Sequence, residues 1–130
     1  MLMGQYKLTV DQKKRITIPS KFRYELGEFT VLICLSKCLE LYSLKDFEKI
    51  TQTISDDLNS IASVIRLHKY ITRFIRLFLS WACYCEADIR GRISIPLKLA
   101  AHANISRDVL CIGVGNHLEI WDVESYNKET

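Results

Sequence analysis

At 130 residues, with 48% hydrophobic and 25% charged residues, the chain suits one compact unit and reads as an ordinary soluble protein. A net charge of +3 is too small to argue for a nucleic-acid partner by itself. The five cysteines (Cys34, Cys38, Cys83, Cys85, Cys111) are odd in number and lack CxxC spacing. They argue against a disulfide framework or a zinc knuckle and for buried thiols in a reducing cytoplasm.

The start, Met1-Leu2-Met3-Gly4-Gln5, has no charged region followed by an apolar core, so no signal peptide is expected. Tyr6 to Val10 predicts a strand, and Arg15 to Ile18 a second with Ile16 and Ile18 on one face. Asp11 suits the tight connection between them, because its carboxylate can accept from backbone donors further on. Pro19 opens a short helix, Ser20 to Leu26, with Gly27 at its C-terminal cap. Phe29 to Leu35 and Leu39 to Tyr42 form a hairpin. Ser43 caps a helix from Leu44 to about Thr53. Ser55-Asp56-Asp57 reads as the start of another. Ile61, Val64, Ile65, His68, Ile71, Ile75 and Phe78 recur at helical steps, with Arg66, Lys69, Arg73 and Arg76 on another face. That pattern predicts an amphipathic helix of about 18 residues. The most apolar run, Phe74 to Cys85, is too short to span a bilayer. A strand from Trp81 to Ala87 follows. Val109 to Val114 and Leu118 to Trp121 form a second hairpin, with Gly113, Gly115 and Asn116 supplying its turn. Asp122 caps a last helix, Val123 to Asn127.

The chain repeats itself. Asp11-Gln12-Lys13-Lys14-Arg15-Ile16-Thr17-Ile18-Pro19 returns as Asp88-Ile89-Arg90-Gly91-Arg92-Ile93-Ser94-Ile95-Pro96, five identities in nine positions. After a slip of two residues, Leu39-Glu40-Leu41-Tyr42 matches Leu118-Glu119-Ile120-Trp121. A duplicated module follows: a first copy at residues 5–53, a connecting amphipathic helix at 54–80 and a second copy at 81–128. One copy alone is near the size at which a core becomes marginal, so the two are expected to share one. Charge follows the repeat. Gln12 to Arg23 holds five basic residues and no acid; Ile89 to Arg107 holds four and no acid.

The paired Asp-x-x-x-Arg motifs, each followed by Ile-x-Ile-Pro, resemble the MraZ proteins. So do the Met1-x-Met3-Gly4 start and the run from Gly113 through Asn116 to Trp121. The resemblance covers essentially the whole chain. It implies an α+β, mainly β fold of two tandem AbrB/SpoVT-type swapped-hairpin motifs, packed as a pseudo-twofold β-barrel with flanking helices. It implies a nucleoid-associated bacterial transcriptional regulator, assembled as a homo-oligomeric ring on direct repeats upstream of the division and cell-wall gene cluster. Two features depart from the family pattern. Lys14 stands where the first motif usually has glycine, and the central helix is unusually basic.

Under this reading Lys13, Lys14, Arg15, Arg90 and Arg92 contact double-stranded DNA, with Lys21 and Lys98 adding phosphate contacts. Arginine suits the role because its planar fork can hold a guanine edge or a phosphate through two donors. Asp11, Asp88 and Gly91 shape the turns, and both aspartates orient the following arginine. The Arg66, Lys69, Arg73 and Arg76 face reads as a solvated surface or as partners for acids of a neighbouring subunit. No catalytic constellation, metal site, cofactor site or membrane contact is expected. Two rival readings are an antitoxin-like protein-interaction module without DNA specificity and a cysteine-based enzyme. The first needs a long arm that wraps its partner, and none is expected after Tyr126.

Overall fold

The computed structural model describes residues 1–65 and 68–129, with side chains 62–68 outside the description. The elements are β1 (Leu2–Thr9), β2 (Arg15–Thr17), α1 (Ser20–Leu26), β3 (Phe29–Ile33), β4 (Leu39–Ser43), α2 (Leu44–Ile65), α3 (His68–Ser80), β5 (Ala82–Glu86), β6 (Arg92–Ser94), α4 (Leu97–His102), β7 (Asp108–Gly115), β8 (Leu118–Asp122) and α5 (Val123–Glu129). The fold is α+β, with more strands than helices among the described residues. A six-stranded antiparallel sheet runs β1-β7-β8-β4-β3-β5, and β2 pairs with β6 in a separate ribbon.

The sheet order is a palindrome of the repeat. β1 of the first half pairs with β7 of the second, and β5 of the second half pairs with β3 of the first. At its centre Leu39 faces Ile120, Glu40 faces Glu119 and Leu41 faces Leu118; Glu40 and Glu119 are matched positions of the two halves, and the two flanking pairs exchange under the repeat. In the ribbon, Ile16 faces Ile93. One pseudo-twofold axis therefore passes between Glu40 and Glu119 and between Ile16 and Ile93. Alternation puts Leu39, Leu41, Leu118 and Ile120 on the inner face of the sheet, and Ile16 and Ile93 on the inner face of the ribbon. All six are buried in one core shared by both halves. Hydrogen-bonded ladders among the described residues leave β1 and β5 as the two ends of the sheet, so they do not close a barrel.

Local signals in the sequence set most boundaries. Ser43 Oγ accepts from Asp46 N–H at 3.1 Å, and Asp122 Oδ2 from Ser125 N–H at 3.3 Å, so both residues cap the helices that follow them. Gly27 (φ 73°) and Asn104 (φ 53°) end the two short helices in the left-handed region.

Two expectations change. The helix after Ser43 does not stop near Thr53 but runs unbroken to Ile65. Ser55-Asp56-Asp57 lies inside it. Asp56 accepts from the Gln52 amide (2.8 Å) and from Ser60 Oγ (3.0 Å, to its carbonyl), contacts between residues four apart within a helix rather than a cap. The helix expected over Ile61 to Phe78 divides between the end of α2 and α3; Arg66 and Leu67 lie outside the described residues, as does the His68 side chain. Phe47 near the start of α2 stacks on Phe78 near the end of α3 at 5.8 Å, so α3 returns toward the start of α2. With Val31, Ile33 and Tyr42 these rings form a second cluster on the outer face of β3 and β4. Gly113 is the other change. It lies within β7, where a Cβ would fall on the Leu2–Met3 backbone of β1, so it permits a close strand approach and does not make the turn.

Candidate nucleic-acid interface

The two basic turns fold the same way. Lys14 N–H donates to Asp11 O at 3.0 Å, and Gly91 N–H to Asp88 O at 2.9 Å, closing a β-turn in each half. Asp11 Oδ1 accepts from Lys13 N–H (2.9 Å) and Arg15 N–H (2.8 Å), while Oδ2 accepts from Arg15 Nε at 2.7 Å. Asp88 repeats the arrangement: Oδ1 takes Arg90 N–H and Arg92 N–H at 2.9 Å, and Oδ2 takes Arg92 Nε at 2.7 Å. Each carboxylate thus fixes both the turn backbone and the direction of one guanidinium. The backbone N–H of the clamped arginine, its guanidinium and the N–H at Lys13 or Arg90 hold each carboxyl below the ordinary aspartate range, against a smaller opposing effect of burial.

The ribbon then places the arginines. In β2 and β6, Arg15 pairs with Ser94 and Thr17 with Arg92. These four lie on the face opposite Ile16 and Ile93, which are each 1% exposed. Arg15 and Arg92 are diagonal neighbours on that outer face, with backbones about 7–8 Å apart. Thr17 and Ser94, both exposed, complete the face and were not among the expected site residues. Their signal was present: they occupy the same alternate positions as the arginines.

Each turn is also held by the opposite half. Lys14 O accepts from Ile95 N–H at 2.8 Å, and Gly91 O from Ile18 N–H at 2.9 Å. Lys14 takes φ 60° where Gly91 takes φ 77°, so lysine adopts a conformation that favours glycine. The partner positions explain the difference. Arg23 Nε donates to Ile18 O at 2.7 Å and its guanidinium lies against Gly91, where any Cβ would collide with it. The residue matching Arg23 in the second half is Ala100, which leaves room beside Lys14. Arg23 therefore has a packing role that its basic character alone did not reveal.

The remaining expected residues are less alike. Lys98 Nζ sits 4.1 Å over the Trp81 ring, at the end of β5 remote from the second turn. Lys21 is exposed, with Nζ beside Gly4 of β1. Lys13 and Arg90 are exposed in the turns. On α3, Arg73 and Arg76 are exposed, and Lys69 and Arg73 lie over the half-exposed Tyr70 ring. Arg66 lies outside the described residues. Burial pushes Cys38 and Cys111 up to about 12 and Cys85 up to about 11, and raises Cys34, so these four thiols are poor nucleophiles. Among the described residues no three His, Cys, Asp or Glu side chains are placed to hold a metal, and no helix is long and apolar enough to cross a membrane.

Known proteins resemble this chain along nearly its whole length. Residues 1–68 and 78–129 match the family model described as "MraZ protein, putative antitoxin-like". The chain is 44% identical to a protein of Caldanaerobacter subterraneus, an alignment spanning 100% of this chain and 89% of the relative. It is 41% identical to one of Caldicellulosiruptor saccharolyticus, over 99% and 86%. It is 38% identical to one of Limosilactobacillus fermentum, over 97% and 84%. All three relatives carry the name "Transcriptional regulator MraZ".

Proposed function

This chain belongs to the MraZ family, and on that premise we propose that it is a sequence-specific, non-enzymatic DNA-binding transcriptional regulator. The observation that carries the reading is the doubled Asp–Arg clamp. Two aspartates hold Arg15 and Arg92 in matched poses on one outer face, flanked by Lys13, Lys14 and Arg90. Nε is spent on the carboxylate, which orients the guanidinium and leaves its Nη donors for a phosphate or a guanine edge. A solvated hairpin tip would not need its arginine fixed twice. The name borne by the relatives supports the regulatory role.

The finer reading follows from the resemblance. Copies at 5–53 and 81–128, joined by 54–80, enclose the common core in barrel-like fashion. Subunits assemble into a ring on direct repeats upstream of the division and cell-wall gene cluster, in the cytoplasm at the nucleoid. Each subunit takes one repeat, so individually weak contacts add in avidity. The antitoxin-like alternative keeps a place through the family description, which includes that term.

Fluorescence anisotropy on two duplexes of equal length tests the reading, one carrying the repeats upstream of the protein's own gene cluster and one scrambled. Repeat-dependent binding that Arg15→Ala or Arg92→Ala strongly weakens is expected. Equal, weak binding to both duplexes, unchanged in either variant, would overturn it in favour of the interaction module.

A further inference from the structure

The frame of the two turns is duplicated, but their tips are not. Gln12 and Ile89 occupy the same place, the residue after the clamping aspartate and the first central position of the β-turn. Both are exposed, and Ile89 is 102% exposed, as open as an isoleucine can be. Their backbones are held by the aspartate bonds on either side, so each side chain projects from a fixed point.

The surroundings have diverged in the same sense. The cleft beside the first turn is lined by Gln12, Lys14, Ser106 and Arg107. The matching cleft beside the second is lined by Ile89, Arg23, Tyr24 and Glu28, with Tyr24 95% exposed. Arg107 and Glu28 are equivalent positions with opposite charge, and Lys14 is matched by Gly91. The first cleft sets Lys14 and Arg107 beside the Gln12 amide; the second sets the open Ile89 and Tyr24 side chains beside Arg23 and Glu28, which are of opposite charge. An identical frame with unlike tips is what two related contacts need when they share a docking pose but differ in what they recognise.

We propose that Gln12 and Ile89 are specificity-determining residues of the DNA contact, so that the two halves of one subunit read two different base pairs. The Gln12 amide can donate to and accept from the N7 and N6 edge of adenine in the major groove. Ile89 can only make apolar contact, and the C5-methyl of thymine is the apolar group that the groove offers. The inference rests on the DNA-binding reading above. It adds that the arginines supply the pose and the tips supply the difference.

Selection from a pool of duplexes with a randomised window, performed on the full-length protein, gives the base preference at each position. Wild type, Ile89→Gln, Gln12→Ile and Arg92→Ala are compared, with affinity for the best sequence measured at several salt concentrations. Ile89→Gln is expected to turn a thymine preference at one position into adenine, changing relative affinity on the order of tenfold. Gln12→Ile should make the converse change at another position. Neither should alter the salt slope, because neither residue carries charge. Arg92→Ala should lower affinity for all sequences and reduce the slope. If wild type selects a clear sequence and both tip variants select the same one, the tips do not read bases and the proposal fails while the regulator reading stands. If wild type selects no sequence, both fail. Matching thermal melts of the tip variants and wild type exclude misfolding as the cause of any change.

Discussion

A single glycine shows how the two halves are fitted to each other. Gly91 satisfies two demands: a backbone in the left-handed region and a surface flat enough for the Arg23 guanidinium. Lys14 meets only the first, because Ala100 stands where Arg23 would be. Gly91→Ala should therefore destabilise by about 1–3 kcal/mol through the backbone, with a further cost from displacing the Arg23 guanidinium and its bond to Ile18 O. In an Arg23→Ala background the clash component should disappear. A double-mutant cycle by urea unfolding measures this, and strict additivity would contradict the packing account. The clamping aspartates make a separate prediction. Their carboxyls lie below the ordinary value of about 3.9, so folding keeps them ionised. The sign follows: their stabilisation is complete above that value and is lost as pH falls through the lower folded value. Urea midpoints of wild type and of the Asp11→Asn, Asp88→Asn double variant should differ near pH 6 and converge as the solution is made strongly acid. A constant gap across that range would mean that charge plays no part in the clamp.

Among the elements, β2 and β6 are the shortest strands and carry the proposed DNA contact, whereas α2 is the longest helix and lies on the opposite face of the sheet. Phe78 joins that helical layer to the sheet, stacking on Phe47 at 5.8 Å and packing with Val31 and Ile33. Phe78→Ala should cost about 3–5 kcal/mol. Loss of DNA binding only in step with unfolding is expected, and a folded variant that cannot bind would tie α3 directly to the interface. The short strands were legible because Ile16, Ile18, Ile93 and Ile95 alternate and proline follows each pair. Caps at Ser43, Asp122 and Gly27 were legible for the same local reason. The extent of α2 was not. Ser55-Asp56-Asp57 is as suitable for a helix start as for an exposed helix face, and only the side-chain bonds four residues apart decide between them. The packing of Arg23 on Gly91 was hidden too, since it joins residues 68 apart in sequence through a backbone carbonyl. Exchange of β1 and β5 between halves likewise leaves no local mark; it entered only through the family resemblance.

At the scale of the molecule, the pseudo-twofold axis brings the two turns together. It leaves through the Arg15 and Arg92 face of the ribbon at one end and between Glu40 and Glu119 of the sheet at the other. With the core between the two ends, the basic residues of both turns gather around one end of the axis and attract an anionic duplex there together. The strength of that attraction is set by net charge and not by the number of basic residues. Lys13, Lys14, Arg15, Arg90 and Arg92 give five positive charges at the turns, and Asp11 and Asp88 cancel two. Because the carboxylates stay bound to the arginines, each subunit on DNA should release counterions for about three phosphates, with a slope of about −2.7 in log K against log salt. A slope near −4.5 would mean that the aspartates release their arginines on binding, turning the clamp from a fixed support into a latch. Removing one free cation, as in Lys13→Ala, should lower the slope by about one. Removing Asp88 should steepen it while weakening sequence preference, because Arg92 would gain charge for phosphate and lose its fixed direction. Those opposite movements of slope and selectivity are the signature of a carboxylate that trades electrostatic attraction for aim.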